Sequence, residues 1–179
     1  MARCLGIDPG SASPSGAVFQ KLRGVKGAII HAFDVPMTGE ENERRVDVLG
    51  LVRAIQDWGV THCVIERVNA MPSIPDEKTG QRRVMGTASM FRFATAYGDL
   101  RTTVRLCGFE PRFVMPARWK KFYGLKGPDK EQSRQMALEL WPQMADLLKR
   151  KKDEGRAEAM LIARYGAHIL EADDKEIEE

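Results

Sequence analysis

The chain has 179 residues, 43% of them hydrophobic and 30% charged, which suits one soluble domain around a single core. No apolar run approaches the ~20 residues needed to cross a bilayer, and the opening MARCLGIDPG is too poor in apolar residues for a signal peptide, so a cytoplasmic protein without a membrane partner is expected. The formal charge of +3 is uneven: the last nine residues, EADDKEIEE, carry a net of −5, so the other 170 carry +8, a sign that tolerates a polyanion.

Residues 3–8 (RCLGID) form a short apolar run that ends on an aspartate ahead of Pro9-Gly10, the pattern of a buried strand stopped by a turn. Residues 16–23 and 27–35 are two more strands, and the glycines at 24 and 27 bracket a hairpin turn between them. Val48, Leu51, Val52 and Ile55 recur at helical spacing within 46–58, with Gly59 placed to end that helix. Residues 60–66 (VTHCVIE) return to a β-branched run and again finish on a carboxylate. Two prolines, a glycine and several charges make 69–83 an exposed loop. A long helix follows from about 85 to 106, then a strand at 111–114 and a short helix with a basic loop after Pro116. Asp129 can cap a helix from about 130 to 140, continuing after Pro142 to 149. A last helix covers about 156–170, with Ala157, Met160, Leu161 and Tyr165 on one face; 171–179 is an acidic, disordered tail. Three cysteines without CxxC spacing, Cys4, Cys63 and Cys107, read as reduced thiols and not as a disulfide framework.

The order β-β-β-α-β-α-β-α-α implies a single α/β domain over 1–170: three layers, with a mixed five-stranded sheet flanked by helices. The first three strands should be antiparallel neighbours, and strands that follow helices should be parallel. This is the strand plan of the RNase H-like fold.

Two strands that end on an acid, Asp8 and Glu66, are informative together. In an open α/β sheet, neighbouring strand ends place their side chains in one crevice. Facing carboxylates repel unless a cation lies between them, and a hard oxygen-loving ion such as Mg²⁺ relieves the conflict. Taken singly, each acid could equally cap a turn or pair with an arginine. A further cluster lies in KKDEGRAEAMLIARYG at 151–166, where Glu154 and Glu158 are four apart and share a helix face. Ala157, Ala159 and Ala163 would let that helix press closely onto a sheet.

GIDPG at 6–10, VIERV at 64–68 and DEGRAEAMLIARYG at 153–166 resemble, in order and spacing, the three acidic motifs of RuvC-type Holliday junction resolvases. The last motif is most similar to the phage and chloroplast branches. The resemblance implies that Asp8, Glu66 and Glu158 are catalytic metal ligands. The bacterial position of the fourth falls on Gly155; Glu154 is preferred because four residues keep it on the face of Glu158, with Asp153 as the alternative. It further implies two Mg²⁺ per site (Mn²⁺ substituting), a homodimer, four-way branched DNA as the substrate, and basic residues that hold its backbone. Candidates for those contacts are Arg118, Lys120, Lys121, Lys126 and Lys130 in PARWKKFYGLKGPDK, with Arg82 and Arg83 from the 69–83 loop. Met71, Ile74 or Arg82/Arg83 could replace the aromatic wedge that some family members insert into the junction. Trp119, Phe122 and Tyr123 read as packing residues, and the scattered His31, His62 and His168 have no metal-ligand spacing. Competing expectations are a catalytically inactive branched-DNA-binding module and a nuclease acting on flaps or forks. A phosphate-binding ATPase of the sugar kinase and actin group, to whose first strand GIDPG is similar, would need a second domain.

Overall fold

The computed structural model describes residues 2–10, 13–22, 27–40, 44–68, 86–126 and 131–177, with side chains to 170. A five-stranded sheet is built from β1 (Arg3–Asp8), β2 (Ser15–Gln20), β3 (Ala28–Asp34), β6 (His62–Glu66) and β7 (Arg112–Val114), in the spatial order β3-β2-β1-β6-β7. As expected, β1–β2 and β2–β3 are antiparallel, whereas β1–β6 and β6–β7 are parallel. Parallel neighbours need crossover helices. These are α1 (Val48–Asp57) and α2 (Thr87–Leu106). A two-stranded ribbon of β4 (Met37–Thr38) with β5 (Arg45–Val46) precedes α1 and escaped the sequence reading, because two-residue strands leave no periodicity to detect.

Helix α1 starts where Asp47 accepts the Gly50 N–H at 2.9 Å, an N-cap that satisfies one unpaired donor of the first turn. It stops at Trp58 because Gly59 takes φ +58°, the left-handed conformation that glycine adopts without a Cβ clash.

The period of two in the strands sorts side chains into two cores. Leu5, Ile7, Val18, Cys63 and Ile65 face α1 and α2, where they meet Leu51, Ile55, Leu100 and Val104. Cys4, Ala17, Phe19 and Val64 face the other way, onto α5 (Glu154–Ile177). Helix α3 (Pro116–Phe122) and α4 (Glu131–Leu140) cover the far side of α5. A 3₁₀ stretch from Pro142 to Leu148, where a helix continuing to 149 was expected, lies beside them.

Helix α5 departs from expectation in two ways. Every residue from Ala157 to Ala163 is buried, not only one face. The reason is that α5 lies between the sheet and α3–α4, and a helix covered all round needs apolar residues all round. It also begins at Glu154 and runs to Ile177, beyond the expected end near 170. The small residues do allow close contact. A Cβ on Gly6 would stand 2.5 Å from the Ala159 carbonyl oxygen, and one on Gly166 would stand 2.8 Å from Cys4 Sγ. Both Cys4 and Cys63 are buried free thiols; burial pushes Cys4 up to about 12 and Cys63 well above its ordinary value, so neither is a thiolate nucleophile.

Candidate active site

The register of the sheet brings the two strand-end acids together. Ile7 pairs with Ile65 across the parallel β1–β6 ladder, so the next residues, Asp8 and Glu66, are neighbours. Alternation then places both on the α5 face, in line with Gly6 and Val64. Asp8 is 6% exposed, and its Oδ1 accepts the Gly10 N–H at 3.0 Å. Its other oxygen meets the start of α5: a Cβ on Gly155 would be 3.3 Å from Asp8 Oδ2 and 2.8 Å from Ser15 Oγ. Gly155 therefore lets the start of α5 lie closer to Asp8 and Ser15 than a residue with a Cβ would allow without displacing them.

One turn later, Glu158 is buried, and Ser133 Oγ of α4 lies 3.2 Å from its Oε1. Lys120 Nζ of α3 approaches the same oxygen to 3.3 Å. Glu66 is held by the preceding residue of α3, since the buried Trp119 donates its Nε1–H to Glu66 Oε2 at 2.6 Å. Lys120 also lies over the Trp119 ring, 5.2 Å from its centroid. Two consecutive residues of one short helix thus hold acids from β6 and α5. Trp119, expected only as a packing residue, has no local signal in the sequence for a partner 53 residues away.

The two remaining acids differ in kind. Asp153 is buried but engaged within its own turn: it accepts the Arg150 N–H at 2.8 Å and the Arg150 guanidinium at 2.7 Å, with Arg156 nearby at 3.8 Å. The Arg150 guanidinium beside it holds its carboxyl below the ordinary value of 3.8. Arg156 in turn joins α5 to the end of β3 through Asp34 at 2.8 Å. A carboxylate with a lowered folded-state pKa adds stability above its unfolded value, and that stability is lost as pH falls through the folded one. Asp153→Asn is therefore expected to lower stability by about 1–2 kcal/mol at pH 7 through lost capping and charged hydrogen bonds. In denaturant titrations the deficit should shrink below pH 4; an equal deficit at pH 3 would refute this role. Glu154 opens α5 half-buried, and its charge acts on Arg134 of α4. Successive helix residues point about 100° apart, so with Gly155 against Asp8 the Glu154 side chain leaves from a different direction.

Among the described residues, no group of three or more Asp, Glu, His or Cys side chains lies close enough, as the side chains stand, to hold a metal ion. The acids are held instead by Gly10, Trp119, Lys120 and Ser133. The donor set nevertheless fits a hard divalent cation: Asp8, Glu66 and Glu158 supply only oxygens, and Gly155 leaves the side of Asp8 clear where a Cβ would intrude.

Of the basic candidates, Lys120, Lys121 and Lys126 line one open cleft with Ala117, Gly124 and Leu125. Gly124 takes φ +70°, which turns the chain after α3. Arg118 is exposed on the same helix, while Arg82, Arg83, Lys130, Met71 and Ile74 lie outside the described residues. Tyr123 packs as expected, its hydroxyl donating to the Leu161 carbonyl at 2.9 Å, whereas Phe122 is 41% exposed and touches Tyr165 edge-on.

Comparison with solved structures decides the architecture. Thermus thermophilus RuvC in complex with a Holliday junction superimposes with a TM-score of 0.63 at 14% identity, over 95% of this chain and 96% of that one. The fold is that of RuvC. The yeast mitochondrial Holliday junction resolvase aligns at 0.53 and 15% identity over 91% of this chain and 76% of its own. The fowlpox virus resolvase, bound to its junction substrate, aligns at 0.50 and 11% over 94% and 99%. No protein-family model matches the chain, and no curated protein matches it in sequence. The RuvC-like fold accounts for the mixed sheet and for the placement of α5 across it. No helix among the described residues is long and apolar enough to cross a membrane.

Proposed function

We propose that this protein is a metal-dependent endonuclease that resolves four-way DNA junctions as a homodimer, each subunit nicking one of two opposed strands. The observation that carries the reading is the meeting of Asp8, on the strand next to Glu66, with the first turn of α5 that bears Glu158, within a RuvC-like fold. The neighbours whose structures contain Holliday junctions supply the substrate class.

Asp8, Glu66 and Glu158 are the proposed ligands. Glu154 is the fourth candidate and Asp153 its alternative; Glu154 is preferred because the Asp153 oxygens already serve Arg150. Bound there, Mg²⁺ or Mn²⁺ would activate a water and stabilise the leaving 3′ oxygen, giving 5′-phosphate and 3′-hydroxyl ends. The chain's own residues do the rest. Trp119 fixes the Glu66 carboxylate, Ser133 fixes Glu158, and the Lys121–Lys126 cleft holds the DNA backbone, with Arg118, Lys130, Arg82 and Arg83 as further contacts. The net charge of +8 outside the terminal nine residues favours this polyanion.

The test is a labelled four-way junction, mobile or fixed, incubated with the protein and Mg²⁺. Paired, symmetric nicks with ligatable ends are expected; binding without cutting would establish an inactive binding module instead. Trp119→Phe is expected to lower kcat about 10-fold, the loss of roughly one charged hydrogen bond, with junction affinity little changed and Tm lowered, because Trp119 is fully buried and the smaller ring leaves a cavity. A loss confined to Tm would make Trp119 a packing residue only.

A further inference from the structure

Lys120 has two possible addresses. Its ammonium lies 3.3 Å from Oε1 of the buried Glu158, yet the residue also lines the open cleft of about 370 Å³ that it shares with Lys121 and Lys126. Its side chain is 25% exposed against 6% for Glu158, so the lysine end of the pair is the one with room to move. A four-carbon stem lets a compact ammonium change partners without moving the backbone.

We infer that Lys120 is a tethered cation that competes with divalent metal for Glu158 and is handed to a DNA backbone phosphate in the adjoining cleft, so that metal and DNA binding reinforce each other. The inference rests on the metal-dependent reading above and deepens it. A divalent ion on Glu158 and the Lys120 ammonium cannot share one oxygen at contact distance without strong repulsion. Whatever draws Lys120 away therefore raises metal affinity. A phosphate placed between Lys120, Lys121 and Lys126 would do this, since phosphate oxygens accept three charge-assisted hydrogen bonds there. By reciprocity, metal on Glu158 releases Lys120 to the phosphate and tightens DNA binding.

The test uses the full chain with Mn²⁺ binding measured by electron paramagnetic resonance in the absence of DNA. Lys120→Met, and Lys120→Gln should the methionine variant be unstable, are expected to bind Mn²⁺ about 5- to 10-fold more tightly than the parent. Lys120→Arg, which keeps the charge, should bind as weakly as the parent. Fluorescence anisotropy on a four-way junction supplies a second readout. In EDTA the Lys120→Met deficit should be small, because the parent lysine is occupied by Glu158; with Ca²⁺ it should open to several-fold. A simple phosphate-contacting lysine would show the same deficit in both conditions, and that result overturns the inference. Unchanged Mn²⁺ affinity in the variants overturns it while leaving the nuclease reading intact. Absence of Mn²⁺ binding by every variant and the parent removes both.

Discussion

Asp8→Asn and Glu66→Gln are each expected to abolish junction cutting, by at least about 10³-fold or ~4 kcal/mol of transition-state stabilisation, while junction binding persists. Asp8 lies at the end of β1 with one oxygen on the Gly10 N–H and the other toward α5. Asparagine keeps the size and the first contact but removes the negative charge that a divalent ion requires. Glu66→Gln similarly keeps an oxygen for the Trp119 Nε1–H and loses the charge. The proposed phosphate contacts lie on α3 and the turn after it, so affinity measured by gel shift or anisotropy should change little. Full cleavage by either variant would sink the assignment of these acids. Asp153→Asn and Glu154→Gln, assayed alongside, separate the two remaining acids: the former should cut normally once folded.

Gly6→Ala is expected to cost about 3 kcal/mol or more, the upper range for overpacking a core, against a total stability of roughly 5–15 kcal/mol. The added methyl has no flexible neighbour to displace. It would meet the backbone of α5 at Ala159 and Ala163, inside ordinary contact distance. Relief requires α5 to lift from β1, which also moves Glu158 away from Asp8. Urea unfolding should show a large fall in midpoint, and any folded fraction should have lost activity. A variant with parental stability would mean that α5 sits further from the sheet than the glycine contact indicates. Gly59→Ala offers a contrast, because only its φ of +58° is at stake and Arg3 Nη1 is 3.3 Å away at a flexible end.

The legible parts of the sequence were those with a local physical signature. Strand runs that stop on Asp8 and Glu66 revealed two ends of one sheet, and the period of two then guaranteed that both acids share a face once the strands pair in parallel. Gly59 announced the end of α1 by its backbone freedom. The spacing of Ala157, Ala159 and Ala163 announced a close helix–sheet contact. The resemblance of three acidic motifs to RuvC-type resolvases carried the fold, and the superposition bears that out.

Other features are set by partners far along the chain and leave no local trace. The Trp119 indole finds Glu66 and the Lys120 ammonium finds Glu158 only because α3 packs against α5. Spacing favours Glu154 over Asp153 by its place on the face of Glu158, but carries no sign of what Asp153 binds. Tertiary structure separates them, since the 3₁₀ turn from Lys151 to Asp153 folds Asp153 back onto Arg150. Helix α5 is buried on all sides because a further layer, α3 with α4, covers what periodicity assigns to solvent. Residue order alone therefore determined which acids terminate strands and which helix could approach them. Only the packed chain decided which cations and indoles hold those acids, because such contacts depend on three-dimensional distance and not on separation along the backbone.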